Sequence, residues 1–98
     1  MSGIGLREFQ DLIESIYYER DAARGLEGTA LWFVEEVGEL IRGIRRGEGR
    51  DYLEGEFADV LAWLSTLASL EGIDLAAAAA EKYREGCPRC RRAPCACD

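Results

Sequence analysis

Apolar residues recur along the chain at spacings of three and four. Leu6, Phe9, Leu12, Ile13, Ile16 and Tyr17 form the first such stripe, which predicts an amphipathic helix over 6–20. The stretch from Arg20 to Gly28 carries two glycines and interrupts the stripe, so it reads as a loop. Thr29 then suits the N-cap of a second helix that runs to about Arg46. Phe33, Val37, Leu40, Ile41 and Ile44 define its expected core face, with Val34 at the edge. "RGEGR", Arg46 to Arg50, is a short polar turn. A third helix is expected over 51–71, with a core face of Leu53, Phe57, Val60, Leu64 and Leu67. Gly72 ends it, and Asp74 is a good N-cap for a fourth, alanine-rich helix over 75–85. No segment alternates in the manner of a strand. The pattern therefore predicts an all-α bundle of four helices over residues 1–85, followed by a Cys-, Pro- and Arg-rich tail over 86–98.

Polar residues interrupt this scheme in one informative place. "VEEVGEL" puts Glu36 and Glu39 beside the core face of the second helix, and "EFADV" puts Glu56 and Asp59 beside that of the third. A short turn between two helices makes an antiparallel hairpin, in which residues equally far from the turn face one another. Glu39 and Glu56 are equidistant from a point between Gly47 and Glu48. Glu36 and Asp59 share that centre, and so do Trp32 and Trp63. Four acids should then meet in one cluster, with two tryptophans beyond its end.

Composition bears on what could neutralise that cluster. The chain has 98 residues, a net charge of −7 and no His. Like charges gathered where water is partly excluded repel strongly and call for a cation. Oxygen-only ligands favour a hard ion, Mg²⁺ or Mn²⁺, which also binds substrate phosphates. A single acid on a helix usually does no more than sit on a solvated flank; two i,i+3 pairs that coincide across a turn point to a metal site. The acidic balance argues against nucleic acid or an anionic membrane as partner. No apolar run reaches membrane-spanning length and no signal-peptide pattern opens the chain, so a cytoplasmic location is expected.

Glu36-x-x-Glu39, sixteen intervening residues and then Glu56-x-x-Asp59 resembles the signature of the all-α MazG-like nucleotide pyrophosphohydrolases. The apolar frame is similar too: "LWFVEEVGELIRGI" before, "EFADVLAWLSTLA" after, then "GIDL" and a lysine on the last helix. The resemblance spans about Leu6 to Arg84. It implies a helical bundle that pairs into homodimers or homotetramers. It also implies Mg²⁺-dependent hydrolysis of nucleoside triphosphates to monophosphate and pyrophosphate, in nucleotide-pool cleaning. The motif acids Glu36, Glu39, Glu56 and Asp59 would be the metal ligands, with Glu36 or Glu39 able to accept a proton from water and Glu35 a weaker choice. Two rival readings are a phosphoribosyl-ATP pyrophosphatase-like hydrolase and a non-catalytic, zinc-tailed interaction module.

Other residues carry two readings each. Trp32 and Trp63 can stack on a nucleobase or pack in a core or dimer interface. Trp63, four residues after the last acid, falls where the resembled enzymes place an aromatic near the base. Lys82 matches their lysine on the last helix and is a substrate-binding candidate; otherwise it is a solvated lysine. Arg20 and Arg24 can reach phosphates from the expected loop or pair with Asp21 or Glu27. Leu31, Tyr52 and Leu70 lie off the assigned core faces, which favours a homodimer. In the tail, Cys87-x-x-Cys90 and Cys95-x-Cys97 can supply four thiolates to one Zn²⁺, with disulfides or free thiols as the alternatives. With no His to activate a thiol, these cysteines are not expected to catalyse.

Overall fold

The structure is a computed structural model that describes residues 3–98. The first two positions of the expected 1–85 domain lie outside the described residues. Four helices follow in chain order: α1 (Leu6–Arg24), α2 (Leu26–Arg46), α3 (Arg50–Leu70) and α4 (Leu75–Tyr83). No strand occurs among the described residues. The all-α architecture matches the apolar periodicity.

The expected loop over 20–28 is not formed. Helix α1 continues to Arg24, and a single residue, Gly25, joins it to α2. Gly25 has φ +89, a conformation that side chains rarely adopt, so one glycine suffices to turn the chain. Gly28 does not break the helix. It seats the Arg24 side chain, whose Cγ would lie 2.9 Å from a Cβ added there. Thr29 therefore caps nothing: it sits one turn inside α2, fully buried, and its hydroxyl accepts from Arg24 at 3.3 Å.

The second turn is as short as the pattern requires. Gly47 takes a left-handed conformation, φ +69, and its N–H and that of Glu48 satisfy the last carbonyls of α2. Gly43, one turn earlier, is buried. A Cβ there would lie 2.9 Å from the Tyr52 ring and 3.3 Å from a Leu53 methyl, so its bare backbone sets how closely α2 and α3 approach. Asp74 caps α4 as expected, accepting from the Ala77 N–H at 3.2 Å, and it also pairs with Arg7 of α1.

Helix α3 is the central element, packed against α2 on one side and α1 on the other. The expected core faces are only partly covered. Leu40 is buried and Phe33, Val37, Leu53, Val60 and Leu67 are half-buried, but Ile41, Ile44, Phe57 and Leu64 are exposed. The deepest positions of α3 are instead Glu56, Ser65, Thr66 and Ala68. The cause is that α3 has two helical neighbours, so its buried arc is rotated from the single stripe the pattern suggested. Polar side chains on that arc are paired. Thr66 Oγ1 donates to Asp21 Oδ2 at 3.0 Å, and Arg24 donates to Asp21 Oδ1 at 2.9 Å. Gln10 of α1 donates to Ser69 Oγ and the Ile73 carbonyl and accepts from the Leu75 N–H, tying α1 to the α3–α4 junction.

One chain is loosely gathered for its size. Its radius of gyration is 15.6 Å, against about 12.5 Å for a compact domain of this length. It exposes 7344 Å², where a folded monomer of its mass exposes about 5,600 Å². Part of the excess belongs to the tail. The rest includes Ile16, Leu31, Val34, Ile41, Ile44, and Phe57, an apolar surface with nothing packed on it.

Candidate metal and nucleotide site

The hairpin brings three of the four motif acids together, and Glu39 lies beside the group and not in it. One carboxylate oxygen from each of Glu36, Glu56 and Asp59 lies within 4.8 Å of the other two. Glu39 adjoins Glu36, and its charge acts on both Glu36 and Tyr52. Glu56 is buried, Glu36 half-buried and Asp59 open to solvent. Burial pushes the Glu36 carboxyl above the ordinary range, and the charges of Glu39, Asp59 and Glu56 push it further. Glu36 Oε2 is buried and has no hydrogen-bond partner. A buried acceptor that donors do not reach is costly, and a cation between these three acids would satisfy it. The donor set is all oxygen, partly open on the Asp59 side, which fits Mg²⁺ or Mn²⁺.

The hairpin register also holds at the tryptophans. Trp32 and Trp63 stack, with ring centroids 6.1 Å apart and planes inclined by 14°. The Arg24 guanidinium lies over the Trp63 ring, 5.1 Å from its centroid. Trp63 and Arg24 border a cleft of about 210 Å³ between α1 and α3, lined also by Tyr17, Arg20, Asp21 and Asp59. Asp59 belongs to both the acid cluster and the cleft, so a molecule in the cleft reaches the carboxylates. Arg20 and Arg24 reach this space from the last turns of α1 and not from a loop. Arg24 is held by its ion pair with buried Asp21.

Lys82 is placed elsewhere. It lines a second cleft with Glu81, Arg84, Glu85, Cys87 and Arg91. Among the described residues it makes no ion pair with the four motif acids. Sequence reasoning passed over Tyr52 as a site residue. Its phenol lies against the Glu56 carboxylate, which pushes the phenol pKa up. It also passed over Thr66, and it offered the Arg24–Asp21 pair only as a surface contact, whereas Asp21 is buried. An Asp, an Arg and a Thr near helix ends read as surface, and only the packing of α1 on α3 buries them. In the tail, Cys87, Cys90, Cys95 and Cys97 come together as four free thiols, a donor set suited to zinc.

The fold is a four-helix domain that carries a cluster of acids able to hold a cation. A family model for the MazG nucleotide pyrophosphohydrolase domain matches residues 24–91. The chain belongs to that family, and nucleotide pyrophosphohydrolase activity is what the family implies for it. The matched span omits most of α1 and reaches into the tail. None of the curated proteins compared with the chain matches it.

Proposed function

We propose that the protein is an Mg²⁺-dependent hydrolase that converts nucleoside triphosphates to monophosphate and pyrophosphate. The observation that carries this reading is the trio Glu36, Glu56 and Asp59, with one buried carboxylate oxygen unpartnered, opening on a cleft walled by Trp63 and Arg24. Glu36, Glu56 and Asp59 would hold the metal, with Glu39 beside them. When bound, the ion offsets charge on phosphate oxygens and lowers the pKa of a coordinated water. The chain's own residues do the rest. Trp63 and Tyr17 give the cleft flat aromatic walls for a nucleobase, and Trp32 braces Trp63 from within the stack. Arg20 and Arg24 place positive charge where a triphosphate enters. A water oxygen attacks the α-phosphorus, the bond to the bridging β-phosphate oxygen breaks, and pyrophosphate leaves. The water's proton passes to a carboxylate. Glu36 or Glu39, whichever is less engaged by the metal, would accept it.

A second copy of the chain covers the open apolar surface in this reading. The excess exposed area is more than one partner's share of a standard protein interface, about 800 Å². Ile41 and Phe57 lie on the hairpin that carries the acids, so assembly would brace the site-bearing helices. Lys82 lines a cleft apart from its own chain's motif acids, and such an assembly would offer it a route to bound substrate.

The test is pyrophosphate release across the common ribo- and deoxyribonucleoside triphosphates and phosphoribosyl-ATP, with and without Mg²⁺. Release from a nucleoside triphosphate only with the metal present supports the proposal. Turnover of phosphoribosyl-ATP alone, or of nothing, would replace it with one of the rival readings.

A further inference from the structure

We infer that Cys87, Cys90, Cys95 and Cys97 bind one Zn²⁺ as a structural site that folds the tail, separate from the acid cluster. The four Sγ atoms lie within 4.8 Å of one another. Cys87 and Cys97 are 3.7 Å apart and Cys90 and Cys95 are 4.0 Å apart. The edge of a tetrahedron of sulfurs around zinc, at a bond length of about 2.3 Å, is about 3.8 Å. The sulfurs thus already stand near the corners of a ZnS₄ site, and no two of them are joined.

The backbone is shaped around those sulfurs independently of where they sit in sequence. The Ala96 N–H donates to Cys90 Sγ and the Cys97 N–H to Cys95 Sγ, both at 3.3 Å. Amides aimed at sulfur stabilise thiolates, the form a metal requires. The segment that carries the first pair is closed by bonds between Cys87 N–H and the Arg92 carbonyl, and between Arg91 N–H and the Cys87 carbonyl. Arg91 takes a left-handed conformation, φ +61, to close it. Gly86 is required at the entrance, because a Cβ there would lie 2.7 Å from the Arg92 carbonyl oxygen.

The tail has no apolar side chain larger than a cysteine's beyond Pro88 and Pro94, so it cannot organise itself by burying a core. Four thiolates packed this closely repel as the motif acids do. A divalent ion resolves both problems. Binding exchanges the thiol protons for the metal and releases them to solvent, with no change of oxidation state. The organised tail then seats Arg91 on Glu85 at 3.3 Å, next to the end of α4.

The experiment uses the full chain, expressed with zinc and iron both present and desalted without chelator. Elemental analysis is expected to give about one zinc per chain, and the Cys87→Ser/Cys95→Ser double variant none. The Asp59→Ala variant should keep its zinc, which separates this site from the proposed Mg²⁺ site. In the zinc form, Arg89, Arg91 and Arg92 should resist trypsin, and stripping the metal with a mercurial thiol reagent and chelator should expose them. Cobalt in place of zinc should give the intense sulfur-to-metal absorption of a tetrahedral thiolate site. Four titratable thiols in metal-free protein, or one iron per chain in place of zinc, would overturn the assignment. So would a tail cleaved equally fast with and without bound zinc.

Discussion

Trp32, four residues before the first motif acid, stacks on Trp63, four residues after the last, with 6.1 Å between ring centroids. The pair fixes the register of the α2–α3 hairpin at the end away from its turn, as Gly43 fixes the approach of the helices nearer the turn. Between these two points the carboxylates have little freedom to slide apart.

The Trp63 ring borders the cleft, so its removal should weaken nucleotide binding more than chemistry. Trp63→Ala should raise KM by ~5- to 150-fold, the worth of about 1–3 kcal/mol of base stacking, with a smaller change in kcat. Trp63→Phe should recover most of the loss. Steady-state kinetics on both variants checks this; a pure kcat defect in Trp63→Ala would place the ring outside the base site.

Glycines on the same helix should respond in opposite ways. Gly38 has open space where a Cβ would go, whereas Gly43 faces Tyr52 and Leu53. Gly38→Ala should stabilise the protein by up to about 1 kcal/mol through helix propensity. Gly43→Ala should lose that gain to overpacking of about 1–3 kcal/mol and move Tyr52 off Glu56. Urea denaturation of the two variants gives the comparison, and equal shifts would mean that α2 and α3 are not in close contact at Gly43.

The Glu36 carboxyl is raised by burial and by its acidic neighbours, so it makes the metal-free protein pH-sensitive. Below the ordinary carboxyl pKa both folded and unfolded states hold the proton. As pH rises above that value the unfolded state releases it first. The native state therefore loses stability across the window up to the raised folded pKa. Glu36→Gln should flatten that fall, and its stability advantage over the parent should grow with pH and shrink when Mg²⁺ is added to the parent. Urea midpoints from about pH 4 to pH 7, with chelator, measure it; parallel curves for the two proteins would show that Glu36 carries no such strain.

The uncovered faces of α2 and α3 predict self-association. Light scattering should return at least a dimeric mass, and Phe57→Glu combined with Ile41→Glu should lower it to one chain. A monomeric parent with full turnover would remove the assembly from the account.

The helices and the acid cluster were legible in the sequence because both depend on local periodicity and on one short turn. Counting outward from Gly47 and Glu48 is enough to pair Trp32 with Trp63. The α1–α2 junction was not legible, since a single glycine at φ +89 and a second glycine that only makes room for Arg24 look alike in a sequence. The pairing of Arg24 with Asp21 was legible, but its burial and its link to Thr66 were hidden for a related reason: they exist only once α1 packs across α3. The exposed Phe57 and Leu64 show the reverse limit, because an apolar stripe announces that a face will be covered but not by which chain.

In the proposed reaction the clustered acids hold the metal that drives pyrophosphate release. The most direct measurement is Mg²⁺-dependent pyrophosphate production by the parent and by Asp59→Ala, together with the thermal stability of each without metal. The parent should turn over only with Mg²⁺. Asp59→Ala should lose activity while remaining folded, and be equally or slightly more stable without the ion because repulsion with Glu36 and Glu56 is relieved. Unchanged turnover in Asp59→Ala, or activity of the parent in chelator equal to that in Mg²⁺, would contradict it.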